Sequence, residues 1–315
     1  MGTELHVIFG AGQIGTPLAQ CLLKAGKRVR VIRRSKVAVP IGAELMTGEA
    51  SDQAFCNRVT LGASSIYHCM NPPYVTSAWD QQLPLLMANM IAAASGSNAR
   101  LVVLDNLYML GRTHGQPMDE ATLMNPCSKK GDIRAHVATM LLMAIKQGNV
   151  KAVTGRASDF YGPGGRLTNF GEFFWKPALS NKAAWTLIDP DAVHTYHYIP
   201  DVASSLALLG MAESDVDGKI WMLPCKQAET MRKITNQISL EIGHEIKIHK
   251  LPKLMVKGIG AFMPIAKEVY EMLYQWDEPF VVNDSQFRNR FGSTVVDRNQ
   301  AIKDSVEWAK IAYKN

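Results

Sequence analysis

The stretch VIFGAGQIGTPLAQ, residues 7–20, decides how the chain is read. It sets glycines at 10, 12 and 15 between the apolar run Leu5–Phe9 and the helix-spaced segment Thr16–Ala25. A lone G-x-G-x-x-G is a weak signal, but one that leaves a strand and opens a helix has a mechanical reason for each glycine. Gly10 permits the tight turn, Gly12 lets the backbone approach a pyrophosphate, and Gly15 lets the helix pack close to the strand. The helix N-terminus, with Gln13 and Ile14 leading into it, then offers free N–H groups and a partial positive charge to that pyrophosphate. The alternative is a glycine-rich turn with no ligand. The correct flank on each side favours a dinucleotide.

Outward from this loop, short apolar runs alternate with helix-length segments. Strands are expected at Leu5–Phe9, Val29–Ile32, Ser65–Cys69, Leu101–Leu104 and Ala152–Thr154, with helices at Thr16–Ala25, Gln53–Leu61, Gln81–Ser95 and Gly131–Gln147. That alternation is the pattern of an α/β fold, a doubly wound parallel sheet with helices on both faces. After about residue 160 the pattern changes. DFYGPGGRL is a loop, and aromatic-rich and mixed segments follow. HTYHYIPDVA reads as a turn and a helix with Asp201 as its cap, GKIWMLP as one more strand, EPFVVND as a late strand, and Leu254–Tyr274 as amphipathic helix. The expected division is a nucleotide-binding core over 1–160, to which 194–223 returns, and a smaller, mostly helical subdomain from 161–193 and 224–315.

Composition narrows the class. Of 315 residues, 47% are hydrophobic and 20% charged, which suits an ordinary globular protein. A net charge of +6 without a Lys/Arg block attracts an anionic small molecule and gives no case for nucleic acid. No apolar run has the length and freedom from charge of a membrane span, and no signal-peptide pattern precedes the glycine loop. Five cysteines without a C-x-x-C fit a reduced, cytoplasmic setting. His194 and His197 stand three apart, but no third histidine or carboxylate pair completes a metal set, so no metal is expected.

The second strand runs into Arg33-Arg34-Ser35. A site for NAD usually has Asp or Glu there for the ribose hydroxyls, and a carboxylate repels a 2′-phosphate. Two guanidinium groups and a hydroxyl would hold that phosphate. NADP(H) is therefore preferred over NAD.

The chain also resembles the extended short-chain dehydrogenase/reductase superfamily, the group that holds nucleotide-sugar epimerases and dehydratases. GAGQIG, GEASD (48–52), YHCMNPP (67–73), VVLDNLYMLG (102–111), GRASDFYGPG (155–164), HTYHYIPDVA (194–203) and the segment 287–310 occur in the family's order. The resemblance implies a Rossmann core and an oxidoreductase or epimerase/dehydratase-like enzyme acting on a small carbonyl, alcohol or sugar-derived substrate. It implies Glu49 near the adenine, Asn71 near the ribose, Ala157 and Ser158 near the nicotinamide, and Tyr161 facing the substrate. It leaves a homodimer open.

One part of the family pattern is altered. The family's catalytic set is a Ser or Thr followed by Tyr-x-x-x-Lys. Counting back from Gly111, Asn106 stands at the serine's place, and SKKGDIRAHV offers Lys130 and Arg134 for the tyrosine and lysine. Asn106 can still donate to a carbonyl oxygen, and Arg134 can still bind a ribose but does not titrate near neutral pH. For Lys130 the plainer reading is a solvated residue at a helix start; the sharper one is a desolvated proton donor. Tyr108, Tyr161 and Asp105 are the other candidate proton carriers, with no better geometry to offer. Two functions stay open: an NADP(H)-dependent enzyme with a replaced proton donor, and a catalytically silent NADP(H) sensor that binds a partner.

Overall fold

The computed structural model describes residues 4–252, 264–293 and 295–314. Strands, in chain order, are β1 Leu5–Phe9, β2 Arg28–Arg33, β3 Glu44–Thr47, β4 Ala63–His68, β5 Arg100–Asp105, β6 Lys151–Arg156, β7 Asp159–Tyr161, β8 Ala184–Thr186, β9 Val193–His194, β10 Tyr196–Tyr198, β11 Ile220–Met222, β12 Glu229–Thr230 and β13 Ile248–Lys250. The helices used below are α1 Gly15–Lys24, α2 Gln53–Val59, α3 Thr76–Ser97, α4 Lys129–Lys146, α5 Glu172–Leu179 and α6 Ile199–Met211. The chain divides into two compact units. One comprises 1–109, 129–157 and 202–223; the other comprises 110–128, 158–201 and 224–315.

The first unit is built on a seven-stranded sheet of order β11-β6-β5-β4-β1-β2-β3, with every pairing parallel. Parallel strands flanked by helices are covered on both faces, which is why all five residues of β1 are buried, His6 included. Leu18, Ala19 and Leu22 turn one stripe of α1 inward, and Trp79, Leu83, Met87 and Met90 do the same for α3. Asp52 caps α2 by accepting from the Phe55 N–H, 3.1 Å. The order reverses at β1, which lies between β2 and β4. In such sheets ligands bind outside the carboxyl ends of the strands at that switch point.

Four local expectations are corrected. β3 is an added edge strand, and α3 begins at Thr76, five residues before the expected start. EPFVVND forms only isolated bridges, Phe280 to His194 and Val282 to Met118, because neighbouring residues of the segment find no continuous partner strand. Asp201 lies inside the first turn of α6, not ahead of it, and its carboxylate accepts from the Val296 N–H at 3.1 Å. The expected helix over Leu254–Tyr274 lies partly outside the described residues; a helix is present over Pro264–Tyr270.

The second unit has its own core. Phe170, Phe174, Trp175, Tyr196, Tyr198 and Trp276 pack there, so these aromatics are structural; Trp185 is exposed. Among the described residues no helix is long and apolar enough to cross a membrane.

Candidate functional site

Because the sheet is parallel, the residues that follow β1, β2, β4 and β5 all emerge at its carboxyl edge. Two backbone bonds hold the strands together where the order reverses: Cys69 N–H to Phe9 O, 2.9 Å, and Gly10 N–H to Ile32 O, 3.4 Å. At this point three glycines meet three different constraints. Gly10 has φ +95°, and a Cβ there would lie 2.7 Å from Cys69 O. A Cβ on Gly15 would collide with Gly10 O, so α1 starts directly on the loop. A Cβ on Gly12 would meet no protein atom within 4 Å. Gln13 is half-exposed and Ile14 is buried. No side chain caps α1, and its first turn carries no acid, so the N–H groups at its start face the loop without competition from a carboxylate of that turn.

Arg33 is half-buried at the end of β2, and Arg34 and Ser35 are exposed. Opposite Arg33 in β3 stands Thr47, while Glu44 is bound to Arg30 at 2.9 Å three residues earlier in the ladder. The acid nearest in the following loop is Glu49, which is exposed; the preceding Gly48 N–H donates to Arg33 O at 2.9 Å.

The second group of residues comes from the start of α4. Lys130 and Arg134 are one turn apart and share a face. Lys130 has no exposed surface, which corrects the expectation of a solvated side chain. Its Nζ donates to Thr76 Oγ1 at 3.0 Å and lies 4.8 Å from the ring centre of Tyr74. A hydroxyl acceptor and an aromatic face make up for lost water around an ammonium. Arg134, also buried, lies over the Trp79 ring at 4.7 Å. It donates through Nη2 to Asn71 Oδ1 at 2.6 Å and through Nη1 to Asp105 Oδ1 at 3.4 Å.

Asn106, half-buried, accepts the Tyr108 N–H on Oδ1 at 3.1 Å, and its own N–H donates to Asp105 Oδ1 at 2.9 Å. With Oδ1 engaged, the side-chain NH2 is the end suited to donate to a ligand. Tyr108 stacks on Trp79 with ring centres 6.0 Å apart, and Tyr74 O–H donates to the Tyr108 hydroxyl at 3.4 Å. Asn71, Asn106, Lys130 and Arg134 are thus brought together around three aromatic rings, those of Tyr74, Trp79 and Tyr108.

Behind this group burial pushes the Asp105 carboxyl up, against the pull of Arg134 and Arg156. Burial, with the Arg134 charge adding to it, brings His68 down to about 4. Its Nδ1 accepts from the Met70 N–H at 3.3 Å, so it is a satisfied neutral core residue. A cavity of about 20 Å³ lies among His68, Asp105, Arg134 and Arg156, room for about one water.

Ser158 and Tyr161 belong to the second unit. The Ser158 N–H donates to His197 Nδ1 at 3.1 Å, and its Oγ is 3.2 Å from His194 Nε2. That same Nε2 is 2.7 Å from the Asp159 carboxylate, and the His194 ring stacks with Trp276 and Phe280. The two histidines therefore brace the segment after β6. Tyr161 is buried, and its hydroxyl accepts from Arg298 Nη1 at 3.2 Å. Burial raises the phenol to about 12, against Arg298. Burial likewise pushes Cys69 up to about 12 and raises Cys127, so neither thiol is activated.

Tyr74, Thr76 and Trp79 escaped the sequence reading. Their only signal was indirect: two cations one turn apart at the start of a helix need partners, and an aromatic-rich helix start supplies them.

The model of the NAD dependent epimerase/dehydratase family matches residues 7–223. No curated protein sequence matches the chain. Among solved structures, the UDP-glucuronic acid 4-epimerase of Bacillus cereus, in complex with UDP-glucuronic acid and NAD, superposes with a TM-score of 0.81 at 15% identity, covering 98% of this chain and 100% of that one. The dTDP-glucose 4,6-dehydratase of Bacillus anthracis, in complex with NAD, gives 0.78 at 14% identity over 99% and 98%. The UDP-glucose 4-epimerase of Thermotoga maritima, with UDP-glucose, gives 0.75 at 14% identity over 99% and 100%.

Proposed function

Since the chain belongs to the NAD dependent epimerase/dehydratase family of the extended short-chain dehydrogenase/reductase superfamily, we propose that it is an NADP(H)-binding oxidoreductase or epimerase/dehydratase-like enzyme acting on a small carbonyl, alcohol or sugar-derived substrate. The observation that carries this reading is the glycine loop. Gly10 and Gly15 are required by the protein's own packing, whereas a Cβ on Gly12 would meet no protein atom within 4 Å, which suits a pyrophosphate laid against the backbone. The uncapped start of α1 suits the same group.

In this reading Gly10, Gly12, Gln13, Ile14 and Gly15 hold the pyrophosphate. Arg33, Arg34 and Ser35 take the 2′-phosphate, with no acid beside Arg33 in β2 or β3. Asn71 and Arg134, already hydrogen-bonded to each other, face the ribose. The bound nicotinamide supplies or takes the hydride. Asn106 donates its amide N–H to the substrate oxygen, and Lys130 holds positive charge beside it. Ser158 serves the nicotinamide, and Tyr161 faces the substrate.

Nicotinamide fluorescence on titrating with NADPH and NADH tests the cofactor. A panel of aldehydes, ketones, quinones, UDP-glucose and UDP-glucuronic acid added to the loaded protein then tests turnover. Tight NADPH binding with oxidation supports the enzyme. Tight binding with no change across the panel favours the silent sensor, which the Lys130 and Arg134 replacements make the second reading. No binding of either nucleotide overturns both.

A further inference from the structure

The altered motif leaves a chemical need. Reducing a carbonyl takes a hydride at carbon and a proton at oxygen, and a tyrosine normally brings that proton. Arg134 holds its proton at any working pH, and the Lys130 ammonium is committed to the Thr76 hydroxyl and the Tyr74 ring. Asp105 is buried behind Arg134 and occupied by Arg134 and the Asn106 N–H.

Two phenols do reach the group. Tyr108 sits two residues after Asn106 in the same turn, so the amide placed for the substrate oxygen and this hydroxyl come from one backbone segment. Tyr74 meets the Tyr108 hydroxyl at 3.4 Å and lies under the Lys130 ammonium. Both rings pack on Trp79, Tyr74 edge-on at 5.4 Å and Tyr108 stacked, which fixes them. Both are half-buried. Lys130 Nζ lies 4.8 Å from the Tyr74 ring centre and Arg134 lies 4.7 Å from that of Trp79, so two positive charges stand beside the pair of phenols.

Building on the oxidoreductase reading, we propose that Tyr108 is the proton donor of this site and that Tyr74 relays protons to it. In the reducing direction a bound reduced nicotinamide would supply the hydride, two electrons and one hydrogen, to the carbonyl carbon. The Tyr108 O–H bond breaks and its proton goes to the carbonyl oxygen, giving an alcohol and a phenolate. Tyr74 passes its proton to that phenolate and regains one from water, so the protein ends as it began. The oxidising direction runs through the same groups in reverse. The tyrosine's task has moved off α4 to the ends of β4 and β5, and α4 retains only the charge.

Nitration by tetranitromethane at pH 8, mapped by mass spectrometry, tests this without turnover, because the reagent attacks phenolates. Tyr270, which is 46% exposed, is the internal standard. Tyr108 or Tyr74 should be nitrated faster than Tyr270 despite less exposure, NADP+ should slow that reaction, and Tyr74→Phe should slow nitration of Tyr108. Nitration of both behind Tyr270, unchanged by NADP+ that binds by fluorescence, overturns the proposal and leaves the cofactor reading standing. Absence of nucleotide binding overturns the reading and the proposal with it. With any carbonyl compound that oxidises bound NADPH, Tyr108→Phe should lower turnover by about 100-fold or more with NADPH binding kept, and Tyr74→Phe should lower it less. Turnover in Tyr108→Phe equal to wild type overturns the assignment. Each phenylalanine keeps the ring against Trp79, so fold and function are separable.

Discussion

Residues of one type carry different duties in the glycine loop, and that difference is measurable. Gly15→Ala drives a Cβ into Gly10 O and should destabilise the protein by about 2–4 kcal/mol in urea unfolding. Gly12→Ala meets nothing in the protein, so its unfolding curve should stay within about 0.5 kcal/mol of wild type while NADPH affinity falls at least about tenfold. Equal NADPH affinity in Gly12→Ala would remove the pyrophosphate from that position. Arg33→Ala should weaken NADPH by about 10- to 100-fold and NADH by little, since only the 2′-phosphate is lost as a partner. Equal losses for both nucleotides would argue that Arg33 serves some other contact.

At the scale of elements, the proposed chemistry needs the charge on α4 and the amide that follows β5. Lys130→Met keeps the length of the buried stem and removes the charge, and Asn106→Ala removes the amide donor. Each should cut turnover by about 100-fold while leaving nucleotide binding near wild type; unchanged turnover in both would take the chemistry away from this edge of the sheet. The strand and helix alternation of the first half was legible because buried parallel strands are continuous apolar runs and their crossovers need helices. β3 was not, because the edge strand ELMT is short and only half-buried, with neither a continuous apolar run nor strict alternation. EPFVVND misled in the other direction: its composition is that of a strand, but composition cannot supply a partner. In the site, the glycine loop could be read residue by residue, since its geometry is local. Lys130 could not, because a lysine is ordinarily exposed and its burial depends on Thr76 and Tyr74, more than fifty residues away.

For the whole molecule, buried titrating groups set the response to acid. Burial holds His6 and His68 at about 4, below their unfolded value near 6.5. Their contribution is complete above pH 6.5 and is lost as pH falls towards 4. Burial holds Asp201 up at about 6, above its unfolded value. Its contribution is complete at low pH and is lost as pH rises from about 4 to 6. The slopes oppose each other. The two histidines, joined by the lowered carboxylates of Glu4, Asp189 and Asp191, act against Asp201 and Asp105, whose carboxyls burial raises, so stability should fall between pH 6.5 and 4. Asp201→Asn removes one opposing slope and should make that fall steeper, by on the order of 1–3 kcal/mol across the window. Urea unfolding at pH 4, 5, 6 and 7 reads the difference; a shallower fall in the variant would reverse the sign assigned to Asp201.

The sealed position of Lys130 also limits what can replace it. Lys130→Tyr must push a ring into space already filled by Thr76 and Tyr74. Overpacking of this kind costs about 1–3 kcal/mol. A phenol at 130 would be accommodated only together with smaller side chains at 74 and 76, so this position and its two neighbours can change as a set and not singly.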